Sequence, residues 1–170
     1  MNAAEVIKAY RNTGEDLINS ILETPEDQFN TVPFTDSWTV GEVADHLRKS
    51  LETWLLFKGK NSTTDRSPDE YCKSLSDLFL NFELKFPTAE FIAPSAGPHD
   101  KNEMAAAIKT IFDEASDYAD KNDLDLLCME FEFPGIGNLT RLEWLHFYTV
   151  HTQRHIRQIK NILKVVSEPV

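Results

Sequence analysis

Apolar residues recur along this chain at intervals of three and four, the repeat that gathers them on one face of an α-helix. Val6, Tyr10, Thr13, Leu17 and Ile21 trace a first stripe, and Pro25 closes it. Thr39 with Glu42 is a capping-box pair, in which each side chain takes an amide that the start of a helix leaves without a partner. It opens a second helix, expected to run to about Gly59. Asp100 with Glu103 gives a similar start signal ahead of Met104, Ile108, Ile111, Ala115 and Tyr118. Thr140 with Glu143 opens the fourth and longest stripe, through Leu145, Thr149, Thr152, Ile156, Ile159, Leu163 and Val166. Only Met129 to Phe133 reads as a brief extended run. The pattern predicts an all-α chain.

Between Lys60 and His99 lies a long connection, polar at first, with Ser67 and Pro68 as a cap and first-turn pair and with Pro87, Pro94 and Pro98 at its far end. One extra short helix is expected there. A connection of that length lets the third helix run parallel to the second, as in bundles with a crossover, where simple up-and-down bundles use short loops. Gly135 and Gly137 lack the third small residue and the strand-to-helix setting of a dinucleotide fingerprint, and read as a turn before the fourth helix.

Size and charge narrow the picture. A chain of 170 residues, 41% of them hydrophobic, suits one domain over residues 1–170 with a real core. A formal charge of −11 repels a phosphate backbone, so nucleic acid is not an expected partner. Arg154, Arg157 and Lys160 are interrupted by apolar residues at helical spacing and read as a solvated face. Met1 to Glu23 carries acidic residues throughout and no continuous apolar run, so no signal peptide, no membrane partner and a cytoplasmic location are expected. Cys72 and Cys128 form no CxxC and read as ordinary thiols, and the sequons at Asn61 and Asn138 read as coincidental.

The histidines carry the chemistry. His151 and His155, four apart in the last helix, stand about 40° apart around its axis and one turn apart along it, so both rings reach a common point. His46 shares a helical line with Val43, Ser50, Trp54 and Phe57, a largely apolar face. Buried imidazoles disfavour their charged form and need partners for their ring nitrogens. Two readings stand: three core histidines each hydrogen-bonded to a neighbour, or one divalent ion held by His46, His151 and His155. His99, in the Pro-rich loop, and His146, about 140° around the helix from His151, read as structural or surface residues. Three protein ligands leave a coordination position open, the arrangement of catalytic rather than closed structural sites. A zincin protease is excluded, because Thr152 stands where its glutamate base belongs. Glu42, one turn before His46, reads as a capping residue rather than a base. Phe34 and Trp38 read as a staple on the second helix, with a pocket mouth as the alternative. Trp144 and Phe147 read as exposed aromatics suited to an interface.

The stretch Ser37-Trp38-Thr39-Val40-Gly41-Glu42-Val43-Ala44-Asp45-His46-Leu47, with Gly137-Asn138-Leu139-Thr140, Glu143-Trp144 and then His151, Arg154, His155 and Gln158, resembles the DinB-like superfamily and its YfiT-type thiol-transferase relatives. The resemblance follows the order of the helices across the whole chain. It implies a four-helix bundle with a long crossover, up-down-down-up, and a divalent metal, nickel or zinc above all, on a histidine triad that falls on His46, His151 and His155. Some relatives use the metal to activate the thiol of a small cofactor such as bacillithiol or mycothiol for transfer or isomerisation; others have no known activity or lack metal. Dimers are common among them, so a homodimer is a possible state. The expected activity is transfer of a low-molecular-weight thiol to a small-molecule substrate. A metal-dependent hydrolase on the same residues, and a non-catalytic bundle that binds metal or oligomerises, are the alternatives.

Overall fold

The computed structural model describes residues 1–168. Asn2 and Glu5 form a capping box at the start of α1 (Ala3–Glu23), and a single turn, α2 (Glu26–Phe29), follows. The α3 helix (Val40–Glu52) tightens into a 3-10 turn over Thr53–Lys58, so the helical rise ends at Gly59 as its sequence pattern predicts. Next come the short strand β1 (Asn61–Ser62), α4 (Cys72–Phe79), a 3-10 turn at Glu90–Ile92, α5 (Lys101–Lys121), β2 (Leu127–Cys128) and α6 (Arg141–Val166). The two strands pair antiparallel, Asn61 with Cys128 and Ser62 with Leu127. The described residues are otherwise helical or irregular, and no described helix is long and apolar enough to cross a membrane.

The four long helices make a closed ring of contacts: α1 packs on α5 and α6, and α3 packs on the same two. Their apolar stripes meet in one core, where Tyr10, Leu17, Leu47, Leu51, Ile108, Leu145 and Tyr148 are fully buried or nearly so. Each such aliphatic side chain contributes roughly 1.5–3 kcal/mol relative to remaining in water. At Gly14 the approach of α1 to α5 is so close that a Cβ would stand 2.6 Å from the Phe112 ring. The turn ahead of α6 uses Gly135 at φ 77° and Gly137 at φ 103°, left-handed conformations that favour glycine.

The crossover between α3 and α5 is fastened at several points, and these set the site. Arg66 reaches the fully buried Glu143 carboxylate with two hydrogen bonds, 2.7 and 2.8 Å, while the backbone amides of Thr140 and Tyr71 donate to the same carboxylate at 2.9 Å. Farther on, the Ser95 amide donates to Asp45 at 2.8 Å and the Lys49 ammonium to the Ala93 carbonyl at 2.8 Å. Burial alone would raise the Asp45 carboxyl, but the Ser95 amide, Arg48 and Lys49 outweigh it and hold it below the usual range.

Three expectations are corrected. The extra helix exists, yet it starts at Cys72 rather than at Ser67–Pro68, because Thr140 Oγ1 donates to the Pro68 carbonyl at 2.6 Å and holds that turn against α6 instead. The extended run lies two residues earlier, at Leu127–Cys128, with the Met129 amide donating to the Lys60 carbonyl at 2.9 Å. Trp144 and Phe147 are not exposed: they retain 3% and 9% of their surface, since α4 and the connection ahead of α6 cover α6 with Phe79, Phe131 and Phe133, and every residue from Arg141 to Thr152 is buried.

Candidate metal centre

His46 comes from the middle of α3, and His151 and His155 from successive turns of α6. These two helices pack directly, so the three imidazoles meet across their interface. The Nε2 atoms stand 3.4 Å (His46 to His151), 3.1 Å (His46 to His155) and 3.1 Å (His151 to His155) apart. No Asp, Glu or Cys joins this group among the described residues.

Their outer nitrogens fix what the inner ones are. His46 Nδ1 is 2.8 Å from the Ile92 carbonyl, which can only accept, so the proton sits on Nδ1 and Nε2 carries a bare lone pair. The same holds for His155, whose Nδ1 donates to Gln158 Oε1 at 2.7 Å. His151 Nδ1 faces the Ser50 hydroxyl at 3.4 Å. The His46 and His155 lone pairs thus point at one another 3.1 Å apart with no proton of their own between them, an arrangement that suits a cation.

Burial pushes all three rings below the ordinary imidazole range, His155 down to about 3, and the mutual proximity of the rings lowers His151 and His155 further. The rings are therefore neutral at pH 7, the form that ligates. Imidazole nitrogens bound at about 2.0–2.1 Å stand about 3.3–3.4 Å apart in a tetrahedral array and about 3 Å apart in an octahedral one, so the observed triangle fits one face of either.

Aromatic packing locks the rings. Phe147 stacks on His151 with centroids 5.1 Å apart and planes 16° from parallel, and Phe79 meets the same ring edge-on at 5.8 Å. Trp38 lies 5.1 Å from the His46 ring. Beyond the triad opens a cavity of about 1320 Å³, and Phe34 and Trp38 line it, so the pocket-mouth reading of that pair holds.

The remaining candidates separate cleanly. Glu42 is engaged in its capping box, accepting from the Thr39 amide at 2.9 Å while its own amide donates to Thr39 Oγ1 at 3.1 Å. His146 is structural: it is buried, and its Nε2 lies 2.7 Å from Ser76 Oγ. His99 sits in the loop ahead of α5, where Asn30 bonds both its amide and its carbonyl. Cys72 and Cys128 are buried free thiols that burial pushes up to about 12.

The solvated-face reading fails for Arg154, which is half-buried, while Arg157 and Lys160 are exposed as expected. Arg154 donates to the carbonyls of Phe79, Asn81 and Leu84 and lies over the Phe86 ring, while Arg157 stacks on Phe82, and both line the cavity. The crossover folds back against α6 at Arg154. Sequence reasoning also assigned no role to Ile92 or Gln158, which orient two of the rings. Gln158 is detectable in principle, one turn beyond His155 on the same face, but the Ile92 carbonyl is not, because backbone position carries no sequence signal.

A family model described as the DinB superfamily matches residues 9–159. This chain belongs to the DinB superfamily. Neither the curated proteins nor the solved structures include a match to it.

Proposed function

We propose that residues 1–170 form one DinB-type four-helix bundle, up-down-down-up with a long crossover, and that it is a divalent-metal-dependent enzyme transferring a low-molecular-weight thiol to a small electrophile. His46, His151 and His155 hold the ion, nickel or zinc. The observation that carries the reading is the convergence of three Nε2 atoms within 3.4 Å, with the His46 and His155 lone pairs fixed inward by Ile92 and Gln158.

A bound cation supplies one piece of chemistry, lowering the pKa of a sulfhydryl brought to its uncovered side. The chain supplies the rest. Its own thiols are buried and held protonated, so the reacting sulfur comes from a cosubstrate such as bacillithiol. Glu42 and Asp45 are occupied, by the capping box and by Arg48, Lys49 and Ser95, so neither serves as a base beside the triad. A bound cation lowers the pKa of a thiol or of water without such a base, so hydrolysis on the same residues is the second reading. The apolar walls of Phe79, Phe147 and Trp38 keep water from the rings and steer the electrophile toward them.

The test is His46→Ala, assayed for metal content and for conjugation of small thiols to a chromogenic electrophile. Metal and turnover should be lost together while the helical circular-dichroism signal persists. Turnover retained in that variant would refute the reading.

A further inference from the structure

All five exposed phenylalanines among the described residues, Phe34, Phe82, Phe86, Phe91 and Phe131, line the one cavity that the triad faces. Scattered exposed apolar residues are ordinary, but their concentration on a single rim marks a binding surface. At about 1320 Å³ the cavity is larger than the roughly 300–1,000 Å³ typical of small-ligand pockets, so a small thiol leaves most of it free.

The charges of the wall run against those of the molecule. In a chain of net charge −11, the cavity is lined by three cations, Lys85, Arg154 and Arg157, against two acids, Asp36 and Glu130. The Glu130 carboxylate lies against Gly59, where a Cβ would come within 2.1 Å of it. Arg154 is committed to backbone carbonyls. Arg157 and Lys85 have no carboxylate partner among the described residues, and the Arg157 guanidinium lies over the Phe82 ring, 4.2 Å from its centroid. A guanidinium without a carboxylate partner beside an aromatic wall suits a carboxylate, sulfonate or phosphate carried on an apolar body.

We propose that the cavity binds an amphipathic anion, an aromatic or branched hydrocarbon body against the phenylalanines with its acidic group on Arg157 and Lys85. This deepens the transferase reading by naming the class of its second substrate, and rests on that reading only for the ligand's role, not for its binding.

The experiment titrates the full chain with two fluorescent probes of similar shape, 1-anilinonaphthalene-8-sulfonate and its uncharged counterpart N-phenyl-1-naphthylamine, with and without added Ni²⁺. The sulfonate should saturate at one per chain. Arg157→Gln with Lys85→Gln, both exposed changes, should weaken the sulfonate by about three- to tenfold and leave the neutral probe unchanged. Phe91→Ala with Phe131→Ala should weaken both probes alike. Equal effects of the charge changes on the two probes, no effect, or binding beyond one per chain would overturn the proposal. Metal uptake is followed separately in the same samples. Selective probe binding without uptake would remove the triad reading and support this one; uptake without selective probe binding would do the reverse.

Discussion

His155 donates from Nδ1 to Gln158 Oε1 at 2.7 Å, and this bond decides which of its nitrogens faces the cavity. One turn of α6 separates donor and acceptor, so the helix itself supplies both the ligand and the group that orients it.

Gln158→Leu removes the acceptor and frees the His155 ring to take its other tautomer. Affinity for Ni²⁺ or Zn²⁺ should fall about 10- to 100-fold, the usual consequence of losing such an orienting bond. Gln158→Glu keeps an acceptor and should retain most of the affinity. Competition against a chelator of known strength measures both, and equal affinities in Gln158→Leu and the parent would remove Gln158 from this role.

Acid should destabilise the metal-free protein through the same rings. Burial holds His46, His151 and His155 below their ordinary range, His155 to about 3, whereas the unfolded chain returns them to about 6.5. Between those values the unfolded state takes up protons that the folded state refuses, so stability rises with pH there. No penalty applies above about pH 6.5; below it, stability falls by up to about 1.4 kcal/mol per pH unit for each ring kept neutral. Thermal melts of chelator-treated protein at about pH 7.5 and about pH 5.5 check this. His155→Gln should show a shallower loss, and parallel curves for the two proteins would contradict the account.

Arg66 and Glu143 join the crossover to the start of α6 through a carboxylate with no exposed surface. Arg66→Met leaves that carboxylate without its cation, and should cost about 3 kcal/mol or more in urea unfolding. Lys73→Ala removes an exposed pair with Asp77, 86% and 64% accessible, and should cost well under about 1 kcal/mol. Similar losses for the two variants would show that the buried pair does not fasten the crossover.

What the sequence disclosed follows from how far each signal reaches. The helix starts at Thr39, Asp100 and Thr140 were legible because a cap is a local bond between residues three apart, and the structure forms each of them. The meeting of His46 with His151 and His155 was legible because each sits on the inner face of its helix, and α3 packs on α6. What stayed hidden is what the crossover does. Phe79 lies on the buried stripe of α4 with Cys72 and Leu75 while Phe82, Phe86 and Phe91 follow no period, and nothing local announces that Phe79 reaches His151 or that Phe82 meets Arg157. Trp144 and Phe147 are hidden in the same way: an amphipathic reading leaves one side of α6 to solvent, and here Phe131 and Phe133 of the connection ahead of α6 cover Trp144, while Phe133 and Phe79 cover Phe147.

Metal content tests the central claim most directly. Chain purified without a polyhistidine tag, incubated with Ni²⁺ or Zn²⁺ and freed of excess, should carry about one ion per molecule by elemental analysis, and the His151→Ala variant close to none. Less than about a tenth of an equivalent in the parent protein would contradict the account.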